Sequence, residues 1–179
     1  HTQALGKIAD FAPAEAQTLY RTLALGALKY FLLRVEAKKR ILFDPQASID
    51  FQGHTGPSIQ YTHARIAAIL RKAQQAAIPQ AAVTPDTCGP LHPTARDIII
   101  HLYKFPKKVQ EAAETYSPAL VAQYAFELAK AYNKFYAEVP VLHEHSPSLQ
   151  QQYVYLSAFV ARTLRTSMGL LGIVLPERM

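Results

Sequence analysis

Apolar residues recur at spacings of three and four along most of the chain, and no stretch sustains the every-second-residue alternation of a half-buried strand. Proline supplies the punctuation. Pro13, Pro57, Pro106 and Pro118 each stand where a helical pattern opens. A proline suits the first helical turn, because the backbone N–H it lacks would have no intrahelical partner there. Together these features predict an all-α fold. Residues 12–35 read as one long helix, with Leu19, Leu23, Ala27, Tyr30 and Phe31 at helical spacing. From Arg34 to Gly56 the pattern breaks into mixed charge, Pro45 and two glycines, which marks a connector; Ile41–Phe43 within it suits extended backbone. Further helices are expected over 57–77, from Thr94 through Tyr103, from Pro106 to about Tyr116, from Pro118 to about Glu138, and over 148–171. Thr55 and Ser117 read as N-caps, "TARD" (Thr94 to Asp97) as a capping box, and Gly172 as a helix stop. Residues 79–92 and 140–147 read as loops. The result is a helical bundle of about five main helices, preceded by a helix and a connector, with the boundary in residues 41–56. We divide the chain accordingly into 1–52 and 53–179.

The chain has 179 residues, of which 50% are hydrophobic and 18% charged, so a real core can form. No apolar run approaches the roughly 18 residues of a membrane span. The first residues lack the basic-then-apolar order of a signal peptide, and His1 suggests a piece of a longer protein. Cys88 is the only cysteine. That excludes an internal disulfide and a cysteine-rich zinc site, and it fits a reducing, cytoplasmic setting. The net charge of +6 and the pI of about 9.4 suit a nucleic-acid partner, though a merely basic soluble domain has the same balance. Basic residues cluster at Lys38–Arg40, Arg71–Lys72, Lys104–Lys108 and Arg162–Arg165.

Catalytic chemistry is nearly absent from the sequence. There is no glycine-rich phosphate loop and no Gly-x-Ser-x-Gly elbow. His143 and His145 flank Glu144, but no second ligand cluster completes a metal site, so they read as solvated loop residues. His63 reads as a structural hydrogen-bonding residue. Cys88 has no basic neighbour in sequence to activate a thiolate. No catalytic and no metal-binding residue is assigned.

The stretch "GHTGPSIQYTHARI" (53–66) carries the most specific surface signal. On a helix over 57–77, Ile59, Ile66, Ile69, Leu70, Ala73 and Ala77 form an apolar stripe, while Ser58, Tyr61, Arg65 and Lys72 fall on another face. That second face either meets water or stacks on unpaired bases while its cations hold phosphate. In "QYAFELAKAYNKFY", the residues Tyr124, Leu128, Tyr132 and Phe135 read as core. Tyr136 falls at the exposed helix end, where its ring can reach a partner. Asn133 is polar inside this aromatic run, so it should make a specific hydrogen bond. On the first helix, Leu19, Leu23, Leu28 and Tyr30 are expected to leave an apolar face able to drive artificial dimers.

At these residues the chain resembles the C-terminal part of arginyl-tRNA synthetases, with the DALR type of anticodon-binding domain. "GALKYFLLR" (26–34), "FDPQASIDFQGHTGPSIQYTHARIAAILRKA" (43–73), "YSPALVAQYAFELAKAYNKFYAEVPVL" (116–142) and "MGLLGIVLPERM" (168–179) carry the likeness in order along most of the chain. The resemblance implies that residues 53–179 are the all-helical anticodon-binding domain and that 1–52 end the catalytic region. It implies anticodon contacts at Tyr61, Arg65, Tyr136 and Met179, with Arg71 and Lys72 as candidates for the tRNA backbone. The family usually has a bulky aromatic where Ser58 stands here, which puts Ser58 itself in doubt as a contact. The two ATP-binding signatures of the family, of the HIGH and KMSK kinds, do not occur. The resemblance thus implies an arginine–tRNA ligase parent using ATP and Mg, of which this piece, with no cofactor of its own, binds arginine tRNA and neither DNA nor membrane. Two other readings stay open: a helical protein-interaction module, and the anticodon domain of a sister synthetase such as the cysteine enzyme. The "PERM" terminus and "HTGP-x-x-QY" point to arginine, and a contiguous positive surface would point to RNA.

Overall fold

The computed structural model describes residues 11–81 and 89–179. The expectations on His1 and Cys88 therefore lie outside the described residues. The chain forms α1 (Pro13–Leu33), α2 (Pro45–Ser48), α3 (Gly56–Gln75), α4 (Pro93–Glu114), α5 (Pro118–Glu138) and α6 (Pro147–Leu170), with no strand among the described residues. Each of these helices has a proline in its first two positions. Thr55 caps α3 by accepting the Ser58 N–H, at 3.2 Å. Gly172, with φ of +66°, ends α6. The Ile173 N–H reaches the Met168 carbonyl and the Gly172 N–H the Gly169 carbonyl, the paired bonds of a Schellman stop.

Several local expectations need correction. The two short helices predicted around Pro106 are one helix, α4. Proline removes the hydrogen bond to the Leu102 carbonyl, but packing holds the helix across the gap. Phe105 lies 5.1 Å from the Tyr124 ring of α5, and the Tyr124 hydroxyl donates to the His101 carbonyl at 3.0 Å. Thr94 is not the cap of α4: His92 is, its Nδ1 accepting the Thr94 N–H. Ser117 occupies the N-cap position of α5, but its hydroxyl donates to Glu36 Oε1 instead. The connector contains the one-turn α2, capped by Asp44, while Ile41–Phe43 is neither helix nor strand. Helix α3 ends before Ala77, which is exposed at φ of 54°.

The core lies where α3, α4, α5 and α6 meet. Ile59, Ile66, Ile98, Leu128, Tyr132, Phe135, Val154, Leu164 and Met168 are fully buried there. Burying a large apolar side chain contributes about 1.5–3 kcal/mol. The buried hydroxyls are satisfied: Tyr132 donates to Ser157 Oγ at 3.0 Å and Tyr30 to the Ala122 carbonyl at 2.9 Å. Tyr30 places α1 against this core, so Leu19, Leu23 and Tyr30 are buried, contrary to the expected open face. The exposed apolar residues of α1 are Leu25, Leu28 and Leu32, accompanied by Leu42 of the connector.

Helices α1 and α3 approach through two glycines. A methyl group on Gly56 would stand 2.5 Å from the Gly26 carbonyl oxygen, and one on Gly26 would strike the Gln60 amide. This contact leads directly to the C-terminal tail, residues 173–179, which lies against α1 and α3. Gln60 Nε2 donates to the carbonyls of Val174 (2.8 Å) and Thr22 (3.2 Å). Arg71 donates to the Glu177 carbonyl at 3.0 Å, and Arg165 pairs with the Glu177 carboxylate. Ile173 and Leu175 of the tail are buried.

His63 completes the clasp. It is fully buried, with Nδ1 3.0 Å from the Pro176 carbonyl and Nε2 3.4 Å from the Arg165 guanidinium. A carbonyl only accepts, so Nδ1 carries the proton and Nε2 is the acceptor facing Arg165. Burial holds the His63 pKa below 6.5, and Arg165 acts in the same direction. The Pro176 hydrogen bond and Glu177 oppose this only in part. The expectation of a structural histidine is thus met.

Two predictions follow from this packing. Gly56→Ala should cost about 1–3 kcal/mol of stability in urea unfolding, because the added methyl meets backbone and not a movable side-chain end. The second concerns pH. The unfolded chain protonates His63 near 6.5 whereas the folded chain resists, so stability is fully present above that pH and falls as pH drops below it. His54 is depressed likewise, by burial and then Arg34. Unfolding midpoints measured from pH 7 to pH 5 should therefore decline, and His63→Gln should make that decline shallower.

Candidate nucleic-acid interface

Helix α3 has an unusual burial pattern. From Thr55 to Ala67, every residue is buried except Tyr61 and Arg65. Polar residues that look like surface in the sequence are turned inward. Gln60 and His63 hold the tail, and the Thr62 hydroxyl donates to the Ser58 carbonyl at 3.0 Å. Ser58 is itself buried, so it does not share the open face with Tyr61 as its spacing suggested. The ring beside Tyr61 is Phe51 of the connector, edge-on at 6.1 Å. Sequence spacing gave no sign of Phe51, because it reaches Tyr61 through the bend at Gly53–Gly56.

Tyr136 of α5 joins the two open residues of α3. The Arg65 guanidinium carbon is 4.9 Å from the centroid of the Tyr61 ring and 5.2 Å from that of Tyr136. Each such cation–π contact contributes about 0.5–2 kcal/mol. Arg65 Nη1 also donates to Asn133 Oδ1 at 3.1 Å. Asn133 sits one turn before Tyr136 on α5, and its Nδ2 donates to Thr62 Oγ1 at 3.0 Å. The expected specific hydrogen bond of Asn133 is therefore two bonds, both internal. The fully buried Tyr132 packs below, and burial pushes its phenol pKa far up, so it stays neutral.

Beside this cluster lies a groove of about 350 Å³ between α3 and the chain that leaves α5. Arg65, Lys72, Tyr136, Val139, Val141 and His143 line it. It offers an apolar floor, an exposed aromatic edge and two cations. Helix α3 carries Arg65, Arg71 and Lys72 and no acidic residue. Arg71 is exposed and anchors the tail at Glu177, two residues before the half-buried Met179. Tyr61, Arg65, Tyr136 and Lys72 thus share one locus, whereas Arg71 faces the tail at Glu177 and no contact among the described residues brings Met179 into the cluster. His143 belongs to the groove wall, and His145 is exposed in the same loop. A second groove, between α4 and α5, has Asp97 and Glu127 set against Lys130 and Lys134, so its charges largely cancel.

Among the described residues no helix is long and apolar enough to cross a membrane. The chain is 59% identical over its full length to an arginine–tRNA ligase of Amoebophilus asiaticus, covering 30% of that relative. It is 44% identical to an arginine–tRNA ligase of Flavobacterium psychrophilum over 98% of the chain and 28% of the relative. The chain thus spans less than a third of the length of the curated relatives it matches. In three dimensions it superposes on the arginyl-tRNA synthetase of Thermus thermophilus with a TM-score of 0.83 and 34% identity, over 95% of this chain and 28% of that one. The family model for the DALR anticodon binding domain matches residues 59–179, a span that begins on α3 and takes in the whole Tyr61–Arg65–Tyr136 cluster, and the chain belongs to that family.

Proposed function

We propose that this chain is the anticodon-binding part of an arginine–tRNA ligase, and that it holds the anticodon stem and loop of arginine tRNA. The observation that carries the reading is the cluster that Tyr136 of α5 forms with Tyr61 and Arg65, the two open residues in the first half of α3, beside the groove. Unpaired bases are recognised by stacking on aromatic and guanidinium faces and by hydrogen bonds to their edges. Tyr61 and Tyr136 supply rings, and Arg65 supplies a planar cation with several N–H donors. Arg71 and Lys72 hold backbone phosphate, and Met179 approaches the loop from the tail. Ser58 is not a contact, and Phe51 stands where a second ring beside Tyr61 is useful. The acid-free surface of α3 favours RNA over a protein partner, and the relatives named above favour arginine over cysteine tRNA.

In the parent protein, ATP and Mg drive the joining of arginine to its tRNA in the cytoplasm. That chemistry belongs to regions other than this chain, in which we assign no catalytic residue. We retain residues 53–179 as the anticodon-binding unit and 1–52 as the end of the catalytic region, in keeping with a family match that starts at residue 59. Leu25, Leu28, Leu32 and Leu42 form the surface through which the isolated piece would self-associate.

The test is binding of the chain to arginine tRNA and to the same tRNA with an altered anticodon, at two salt concentrations. Tighter, salt-weakened binding to the arginine tRNA is expected. Equal affinity for both would mean a basic surface without anticodon readout, and no binding would favour a protein-interaction module. Tyr61→Ala should cost about 1–3 kcal/mol of binding, the value of a stacked base. Lys72→Ala should weaken binding to both RNAs alike and reduce the salt slope by about one unit.

A further inference from the structure

Arg65 is long and half-exposed, and a guanidinium of this kind normally samples many rotamers. Here it is fixed at one end of a hydrogen-bonded chain that reaches the helix interior. The Thr62 hydroxyl donates to the Ser58 carbonyl at 3.0 Å, so its proton is committed and its oxygen is left to accept. Asn133 Nδ2 fills that acceptor at 3.0 Å. The Asn133 amide is therefore fixed in one orientation, with its carbonyl oxygen turned toward Arg65 Nη1 at 3.1 Å. Reversing the amide would set an NH₂ group against the guanidinium, donor against donor. Thr62 is fully buried, so the chain rests on the packed side of α3.

The two tyrosines place Arg65 without saying which way its N–H groups point, since a ring face is nearly isotropic to a cation lying over it. Asn133 breaks that degeneracy. It takes one N–H of the fork at 3.1 Å and thereby leaves the others for the groove that Arg65 lines with Lys72, Val139 and Val141. Asn133 is also neutral, so it orients the guanidinium without cancelling its charge. An acidic residue at this position would make a stronger bond and a weaker site for an anion or a base carbonyl.

We infer that Asn133 is a positioning residue for RNA recognition: it sets the direction of the Arg65 guanidinium through the Ser58–Thr62–Asn133 hydrogen-bond chain, and it acts on the ligand only through Arg65. The inference rests on the anticodon-binding reading. It makes two demands that a merely structural asparagine would not meet. The effect of removing Asn133 must vanish once Arg65 is gone, and placing a charge at position 133 must change the salt dependence of binding.

The experiment is a double-mutant cycle on the 179-residue chain, read as affinity for an arginine-tRNA anticodon hairpin at low salt, with thermal unfolding followed in parallel. Asn133→Ala should weaken binding about tenfold to a hundredfold, the scale of one hydrogen bond to a charged group. In the Arg65→Ala background the same change should leave affinity within about twofold, which is how coupled residues differ from independent ones. Asn133→Asp should keep Arg65 in place, weaken binding, and lower the salt slope by about one unit as the carboxylate neutralises the guanidinium. Asn133→Ser, which retains a hydroxyl acceptor, replaces the alanine variant in the cycle if the latter unfolds. Equal losses in both backgrounds, or no loss in either, overturn the inference while leaving the binding reading intact. A wild-type chain that does not bind the hairpin overturns the reading, and the inference with it.

Discussion

The structure depends on the way α3 is buried on nearly all sides at its N-terminal half. Gly56 allows the helix to start in contact with the α1 backbone at Gly26. Gln60 and His63 then bind the tail, one turn apart from each other, on the flank opposite the open residues. Gln60 and His63 can sit in the interior because the Gln60 amide NH₂ and His63 Nδ1 find carbonyl partners, although Gln60 Oε1 is left without one. A buried amide or imidazole with no partner at all costs a large part of the stability of a domain this size. The tail therefore serves as the hydrogen-bonding partner that lets α3 be polar and buried together. Without the carbonyls of Val174 and Pro176, Gln60 would keep only the Thr22 carbonyl and His63 Nδ1 would lose its acceptor.

That arrangement links the tail to the interface. Tyr61 and Arg65 are open because the faces beside them are closed, and the closing elements are α1, α5, α6 and the last residues of the chain. Arg71 extends the same logic by one further turn, donating to the Glu177 carbonyl while Arg165 takes the Glu177 carboxylate. The terminal Met179 follows two residues later. Hydrogen bonds at Val174, Pro176 and Glu177 tie these residues to α3.

The helices were legible in the sequence because their starts carry prolines and their apolar spacing is regular; Thr55 and Gly172 were read correctly from their residue types alone. Pro106 was misread because the rule that proline ends a helix is local, while the contacts that carry α4 past it come from Tyr124 on another helix. The aromatic series of α5 divided correctly into a buried set and an open Tyr136. The polar face of α3 was less legible. Ser58, Gln60, Thr62 and His63 carry no mark that distinguishes a buried, matched polar residue from a solvated one. The match comes from residues more than a hundred positions away for Gln60 and His63. Asn133 was conspicuous as a polar residue in an aromatic run, but its partners lie on α3 and no local pattern names them.

The cluster itself shows how a helical protein can present a cation without letting it collapse onto the nearest carboxylate. Arg65 has rings on two sides and a neutral amide on a third, and α3 contains no acid that could pair with it. Aromatic rings attract a guanidinium through their quadrupoles but do not neutralise it. Its charge therefore remains available. Ordering a long side chain before its ligand arrives also removes a cost that binding would otherwise bear, about 0.5–1.5 kcal/mol for a rotamer-rich group. The same reasoning explains why the rings are tyrosines on two different helices. A pair on one helix would move together, whereas Tyr61 and Tyr136 grip Arg65 only while α3 and α5 keep their packing. The interface is then as rigid as the core beneath it, and that core includes Tyr132 and Phe135 directly under the α5 side of the cluster.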